Sequence, residues 1–200
     1  SRPPLFAAPQ HVVVGASTGG IEALELLVGN LPEDFAASIF VVVHLAADSP
    51  GVLPDMLARA GKLPAVQAHD GDAILPRRIY VTPPDHHLLV ERGHVRLTHG
   101  PKENRFRPAI DPLFRSAAYA YGPQVIGIIL SGALDDGTAG LGDDAGGLVL
   151  QRGFPLGQQE QLEACGIDLA DVGQVDFQVA ALAQGFHEGG FLGQGVVDGQ

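Results

Sequence analysis

His11-Val12-Val13-Val14-Gly15-Ala16-Ser17-Thr18-Gly19-Gly20 runs three consecutive valines into a Gly-x-Ser-x-Gly turn. The amphipathic run Ile21-Glu22-Ala23-Leu24-Glu25-Leu26-Leu27 follows at once. A β-branched run, a glycine-rich break and then a helical apolar period predict a buried strand, a sharp turn and a helix. Such a turn lifts a serine oxygen clear of a sheet and aims backbone N–H groups at an anion beside it, as an acyl-transfer nucleophile requires. A glycine-rich strand–helix turn also cradles phosphate. The stretch alone therefore leaves two readings open, a nucleophile seat and an anion-binding loop.

The alternation of apolar runs and helical patterns continues along the chain. Residues 38–45 predict a second buried strand, and residues 53–60 a helix closed by Gly61. Short strands are expected at 66–68 and 79–82, the latter stopped by Pro83-Pro84. Residues 88–91 and 94–98 flank Arg92-Gly93 and predict a hairpin. A helix at 112–121 and strands at 125–130 and 147–151 follow. Uniformly apolar strands separated by helices imply a three-layer, doubly wound α/β fold, Rossmann-like, with a mostly parallel sheet and the hairpin as an insertion. Sites in such folds gather at the carboxyl ends of strands.

Residues 1–10 read as an N-terminal extension, 11–151 as the folded domain and 152–200 as a divergent acidic tail. From Gly142 onward the chain holds 13 of its 27 glycines, so periodicity fades and much of the tail is expected to be irregular or poorly ordered. Within it, residues 158–164 suggest a short helix and 177–183 a strand or helix.

A hydrophobic share of 46% over 200 residues suffices for one sizeable core. The single cysteine, Cys165, rules out an intramolecular disulfide or a cysteine metal cluster and fits a cytoplasmic setting. No signal-peptide pattern and no run of about 18 apolar residues occurs, so no membrane insertion is expected. A net charge of −11 argues against a nucleic-acid partner. The charge is uneven: residues 92–115 carry six basic groups against two acidic ones. That is either a basic rim that steers an acidic protein partner or one of two solvated faces of opposite sign.

Ser17, His44 and Asp136 each follow a predicted parallel strand, so one sheet edge can gather a hydroxyl, an imidazole and a carboxylate. That is the logic of a triad: the imidazole takes the serine proton, and the acid fixes the tautomer and stabilises the imidazolium. Each has a plainer reading. His44 can be a satisfied core histidine, and Asp135-Asp136-Gly137 a turn or cap. His86-His87 hints at metal, but no companion ligand stands at helical or hairpin spacing, so no metal site is expected.

Several motifs in order resemble the catalytic domain of the chemotaxis protein-glutamate methylesterase family across residues 11–151. They are Gly15-Ala16-Ser17-Thr18-Gly19-Gly20 and the strand ending in His44. Asp70-Gly71, Leu75-Pro76 and Ile79-Tyr80-Val81-Thr82-Pro83-Pro84-Asp85-His86-His87-Leu88 follow. Asn104-Arg105-Phe106-Arg107-Pro108-Ala109-Ile110-Asp111-Pro112-Leu113-Phe114 and Leu130-Ser131-Gly132 with Asp136-Gly137 complete the set.

The resemblance implies a serine-type hydrolase, without metal or cofactor, that removes methyl groups from glutamate esters on the cytoplasmic helices of methyl-accepting chemoreceptors. By motif, Ser17 is the nucleophile, His44 the general base and Asp136 the orienting acid. Thr18, through its backbone N–H, and Ala133 stand on the oxyanion side. Arg105 and Arg107 either close the site edge and hold acidic receptor side chains, or form a structural ion pair. The family commonly carries a phosphorylatable receiver domain; only residues 1–10 precede the first strand here, so phosphorylation control is expected to be either absent or supplied elsewhere, as by a separate receiver protein. The segment Gly132-Ala133-Leu134-Asp135 departs from the family's usual Gly-Met-Gly-Asn, and residues 152–200 do not align with the family pattern. Two other classes are kept. A dinucleotide- or phosphate-binding module is disfavoured by His44, where a ribose-binding carboxylate belongs. A catalytically weak signalling module with an altered C-terminus is the other.

Overall fold

Val12, Val13 and Val14 are all buried, so this strand has no polar face and needs cover on both sides. The computed structural model describes residues 10–130 and the backbone of strand Phe177–Leu182, and it provides that cover. The elements run β1 (His11–Ala16), α1 (Ile21–Gly29), β2 (Ser38–Val43), α2 (Leu53–Ala60), β3 (Ala65–Gln67), β4 (Ile79–Val81), β5 (His87–Glu91), β6 (His94–Thr98), α3 (Ile110–Tyr121), β7 (Val125–Leu130) and β8 (Phe177–Leu182). The main sheet has the order β3-β4-β2-β1-β7-β8, parallel except for β8, and β5-β6 forms a separate antiparallel hairpin.

The period of two along each strand divides the core. Val12, Val14, Ile39, Val41, Ile126 and Ile128 pack with Leu24 and Leu27 of α1 and with Leu57 of α2. Val13, Phe40, Val42 and Tyr80 face the other way, onto Leu113, Phe114 and Ala117 of α3 and Leu88, Val90 and Val95 of the hairpin. The result is the expected doubly wound α/β domain in three layers, with the hairpin beside α3.

Several boundaries shift by one or two residues, β2 ending at Val43 rather than Leu45 among them, and two of the shifts have clear physical reasons. β1 continues through Gly15 and Ala16, which pair with Val42 and Val43, so the turn starts only at Ser17. Gly15 is a contact glycine: a Cβ there would lie 2.6 Å from Ile110 Cγ2, so its absence admits α3 against the sheet. α3 starts at Ile110 rather than Pro112. The proline lies in the first turn, where a missing N–H costs no intrahelical bond.

Residues 177–182, within the stretch 177–183 expected to be a strand or helix, form the strand β8, antiparallel to β7 from Val125↔Leu182 to Leu130↔Phe177 and outermost in the sheet among the described residues. That decides strand over helix for this segment. The strand and helix expected at 147–151 and 158–164 lie outside the described residues.

His11 begins β1 on the α3 side, its ring 3.9 Å from that of Tyr121 between centroids. Neither ring nitrogen has a hydrogen-bond partner among the described residues, and burial pushes its pKa below 6.5. Above 6.5 the ring is neutral whether folded or unfolded. Below it the unfolded chain takes up a proton that the buried ring resists, so stability falls as pH drops. Urea unfolding of His11→Phe at a series of pH values is expected to show a shallower acid loss than the unsubstituted protein.

Candidate active site

The parallel register sets the last residues of β1, β2 and β7 side by side: Ala16 pairs with Val43 on one flank and with Leu130 on the other. Ser17 and His44 are therefore the first residues beyond adjacent strand ends. The His44 N–H donates to Ala16 O at 3.0 Å, extending the ladder by one rung. Thr18 Oγ1 donates to His44 O at 2.8 Å, tying the turn to the end of β2. Ser17 itself is extended (φ −83°, ψ 172°) and heads a short 3-10 turn, Thr18–Gly20, closed by Gly20 N–H to Ser17 O at 2.9 Å. Its hydroxyl does not cap that turn. A Cβ on Gly20 would meet Leu130 O at 3.0 Å, so a larger residue would press the turn away from the end of β7 by a few tenths of an ångström.

His44 is half-buried, and desolvation pushes its pKa below 6.5, toward the neutral form a general base needs. Its ring lies flat on Phe106, with centroids 3.9 Å apart and planes 5° from parallel. Among the described residues no hydrogen bond joins His44 to Ser17. The backbone brings the two positions together. Asp136 and Ala133 lie outside the described residues.

Phe106 comes from a tight turn that sequence reasoning missed. Glu103 and Phe106 exchange N–H···O bonds of 3.1 and 2.8 Å, and between them Asn104 (φ 50°) and Arg105 (φ 70°) are both left-handed. This is the geometry of a two-residue hairpin turn that usually takes Asn-Gly. Arg at the second position costs about 1 kcal/mol or more of backbone strain. Side chains hold the turn: Asn104 Nδ2 donates to Asp111 Oδ2 at 2.8 Å, and Arg115 pairs with Glu103 at 2.7 Å. Burial pushes the Asp111 carboxyl up, and the Asn104 hydrogen bond works against that shift.

The two arginine candidates part company. Arg107 is mostly buried and fully engaged: it pairs with Asp85 at 2.7 Å and donates to Gly100 O at 2.8 Å. Of the two readings offered for it, the structural ion pair is the one present. Hydrogen bonds from His99 and from Arg107 hold the Asp85 carboxyl down at about 2, so the clamp stays ionised through the ordinary carboxylate range. Arg105 instead stands exposed at the turn tip and makes no ion pair among the described residues.

His87 also has a structural role. Nε2–H donates to Pro101 O at 2.8 Å, and Nδ1 accepts from the Ala109 N–H at 3.3 Å. Among the described residues no group of three His, Cys, Asp or Glu converges as a metal site. No helix among them is long and apolar enough to cross a membrane. A 460 Å³ groove between the hairpin and α3, lined by His87, Arg115 and Tyr119 among others, includes neither Ser17 nor His44. The chemistry is thus read from the strand ends rather than from the groove.

These features define a class of protein: a doubly wound α/β domain with a candidate serine–histidine pair at the carboxyl edge of its sheet. A family model described as CheB methylesterase matches residues 12–152, and the chain belongs to that family. A protein-glutamate methylesterase/protein-glutamine glutaminase of Anaeromyxobacter dehalogenans is 38% identical over 154 residues, 76% of this chain and 45% of that protein. One of the same name from Rhodospirillum rubrum is 36% identical over 179 residues, covering 82% and 46%. The chain thus spans about half the length of the curated relatives it matches. The crystal structure of the Thermotoga maritima CheB methylesterase catalytic domain superposes with a TM-score of 0.57 at 36% identity, covering 67% of this chain and 73% of that one.

Proposed function

We propose that this domain hydrolyses glutamate methyl esters on the cytoplasmic helices of methyl-accepting chemoreceptors, in the cytoplasm, releasing methanol. The observation that carries the reading is the latch at the strand ends: Ala16 beside Val43, with Thr18 Oγ1 bonded to His44 O. It fixes the backbones of nucleophile and base on neighbouring strands, where a parallel sheet presents its chemistry.

In this mechanism His44 takes the Ser17 proton as Oγ attacks the ester carbonyl. The Thr18 and Ala133 N–H groups hold the oxyanion; the first N–H groups of a helical turn have no acceptor inside it. Collapse of the intermediate breaks the bond to the methoxy oxygen, and the His44 proton leaves with it as methanol. Water, deprotonated by His44, then cleaves the acyl-serine and frees the glutamate carboxylate. Asp136 orients His44 and stabilises its imidazolium. Attack on a glutamine side chain by the same steps expels ammonia, the second activity in the relatives' names.

Arg105, exposed on the turn whose next residue covers His44, is suited to hold carboxylates that flank the ester. The test measures methanol released from a methyl-esterified receptor fragment. Arg105→Gln is expected to raise KM by about three- to tenfold with kcat nearly unchanged, the mark of lost uniform binding. An unchanged KM removes Arg105 from the substrate site.

A further inference from the structure

We propose that Phe106 is a positioning residue for this hydrolysis: presented by the Asn104–Arg105 turn, its ring sets the plane in which the His44 imidazole is held beside Ser17. The inference rests on the catalytic reading of His44 given above.

The main chain of His44 is fixed at both polar groups, its N–H by Ala16 O and its C=O by Thr18 Oγ1. Neither bond constrains the side-chain torsions, and a general base must keep its aim within about 10–20°. Phe106 supplies the missing restraint. A ring 3.9 Å away and within 5° of parallel lets the imidazole slide in its own plane but opposes tilting out of it. The restraint acts on the π-face alone. Both ring nitrogens lie in the plane and stay available, one for the serine proton and one for an orienting acid. A hydrogen bond from any further group to either nitrogen would occupy an atom that the serine proton or the orienting acid needs.

The same face also suits the step in which His44 becomes a cation, because an aromatic face attracts an imidazolium stacked on it. The cost of the arrangement is visible. Phe106 is 43% exposed, a poor place for a phenyl ring if core packing were its only purpose. Its turn keeps a non-glycine residue left-handed at Arg105. Two α3 side chains brace that turn, through Asn104–Asp111 and Glu103–Arg115. Strain held by such contacts points to a required geometry.

The experiment compares Phe106→Leu and Phe106→Tyr with the unsubstituted chain in methanol release from a methyl-esterified receptor fragment, with Ser17→Ala alongside. Leucine keeps apolar bulk but removes the flat face; tyrosine keeps the face. Phe106→Leu is expected to lower kcat by about tenfold or more, with KM moving less than about twofold. Phe106→Tyr is expected to stay within about threefold of the unsubstituted chain. Wild-type kcat in Phe106→Leu, or an equal loss in both variants, overturns the proposal. A measurement on the unsubstituted protein stands apart from any folding defect. The His44 ring protons, assigned by difference with His44→Gln, are expected to show an upfield ring-current displacement in NMR. Its absence also overturns the proposal. If Ser17→Ala is inactive while Phe106→Leu is normal, only the positioning role fails. If Ser17→Ala is fully active, the hydrolase reading fails first.

Discussion

His44→Ala is expected to lower kcat/KM for ester hydrolysis by about ten-thousand-fold or more, because a serine hydroxyl without its base is a weak nucleophile at neutral pH. The fold should survive. The two bonds at His44 use its main-chain N–H and C=O, and alanine keeps both. The lost stack exposes one face of Phe106, which is already partly in solvent. The pH profile carries a second expectation. With His44 present, kcat/KM rises with pH as the imidazole loses its proton. Burial moves that rise below 6.5, and the carboxylate proposed at Asp136 opposes the shift. The residual rate of His44→Ala should not follow that rise. Circular dichroism melts and a pH–rate series check both. A variant that keeps the rise assigns it to another group.

Ser17→Ala has the other largest expected effect, a fall in kcat of about a million-fold toward whatever the oxyanion N–H groups and substrate binding sustain alone. Ser17 is only partly buried and its hydroxyl does not cap the 3-10 turn, so the substitution removes no intrahelical bond. The unfolding midpoint is expected to move little. KM for the receptor fragment should stay near its original value, because binding is assigned to groups on the rim such as Arg105. A large loss of stability instead gives Ser17 a structural role.

What sequence could and could not reveal divides along physical lines. Three valines in a row, and the apolar run before His44, demand two-sided burial, so a parallel, doubly wound sheet is legible in the sequence. Chain order then set Ser17 and His44 at neighbouring strand ends. The misreadings came from contacts between distant segments. Gly15 looked like part of a turn because the Ile110 side chain that fills its missing Cβ volume lies far along the chain. For Arg107 the sequence left a site-edge role and a structural ion pair both open, because the partner that makes the pair, Asp85, belongs to another loop. The turn at 103–106 was hidden because Arg105 stands where glycine normally signals it; Asn104, tolerant of left-handed backbone, was the one local hint. Nothing local marked Phe106, whose contact with His44 depends on where that turn is braced.

The central claim, that this domain cleaves glutamate methyl esters through Ser17, is tested most directly by methanol. A receptor cytoplasmic fragment carrying methyl-esterified glutamates is incubated with the unsubstituted chain or with Ser17→Ala, and released methanol is counted against new glutamate carboxylate. The expected result is equimolar methanol and carboxylate with the unsubstituted chain and background release with Ser17→Ala. Release by Ser17→Ala at the unsubstituted rate would contradict the account.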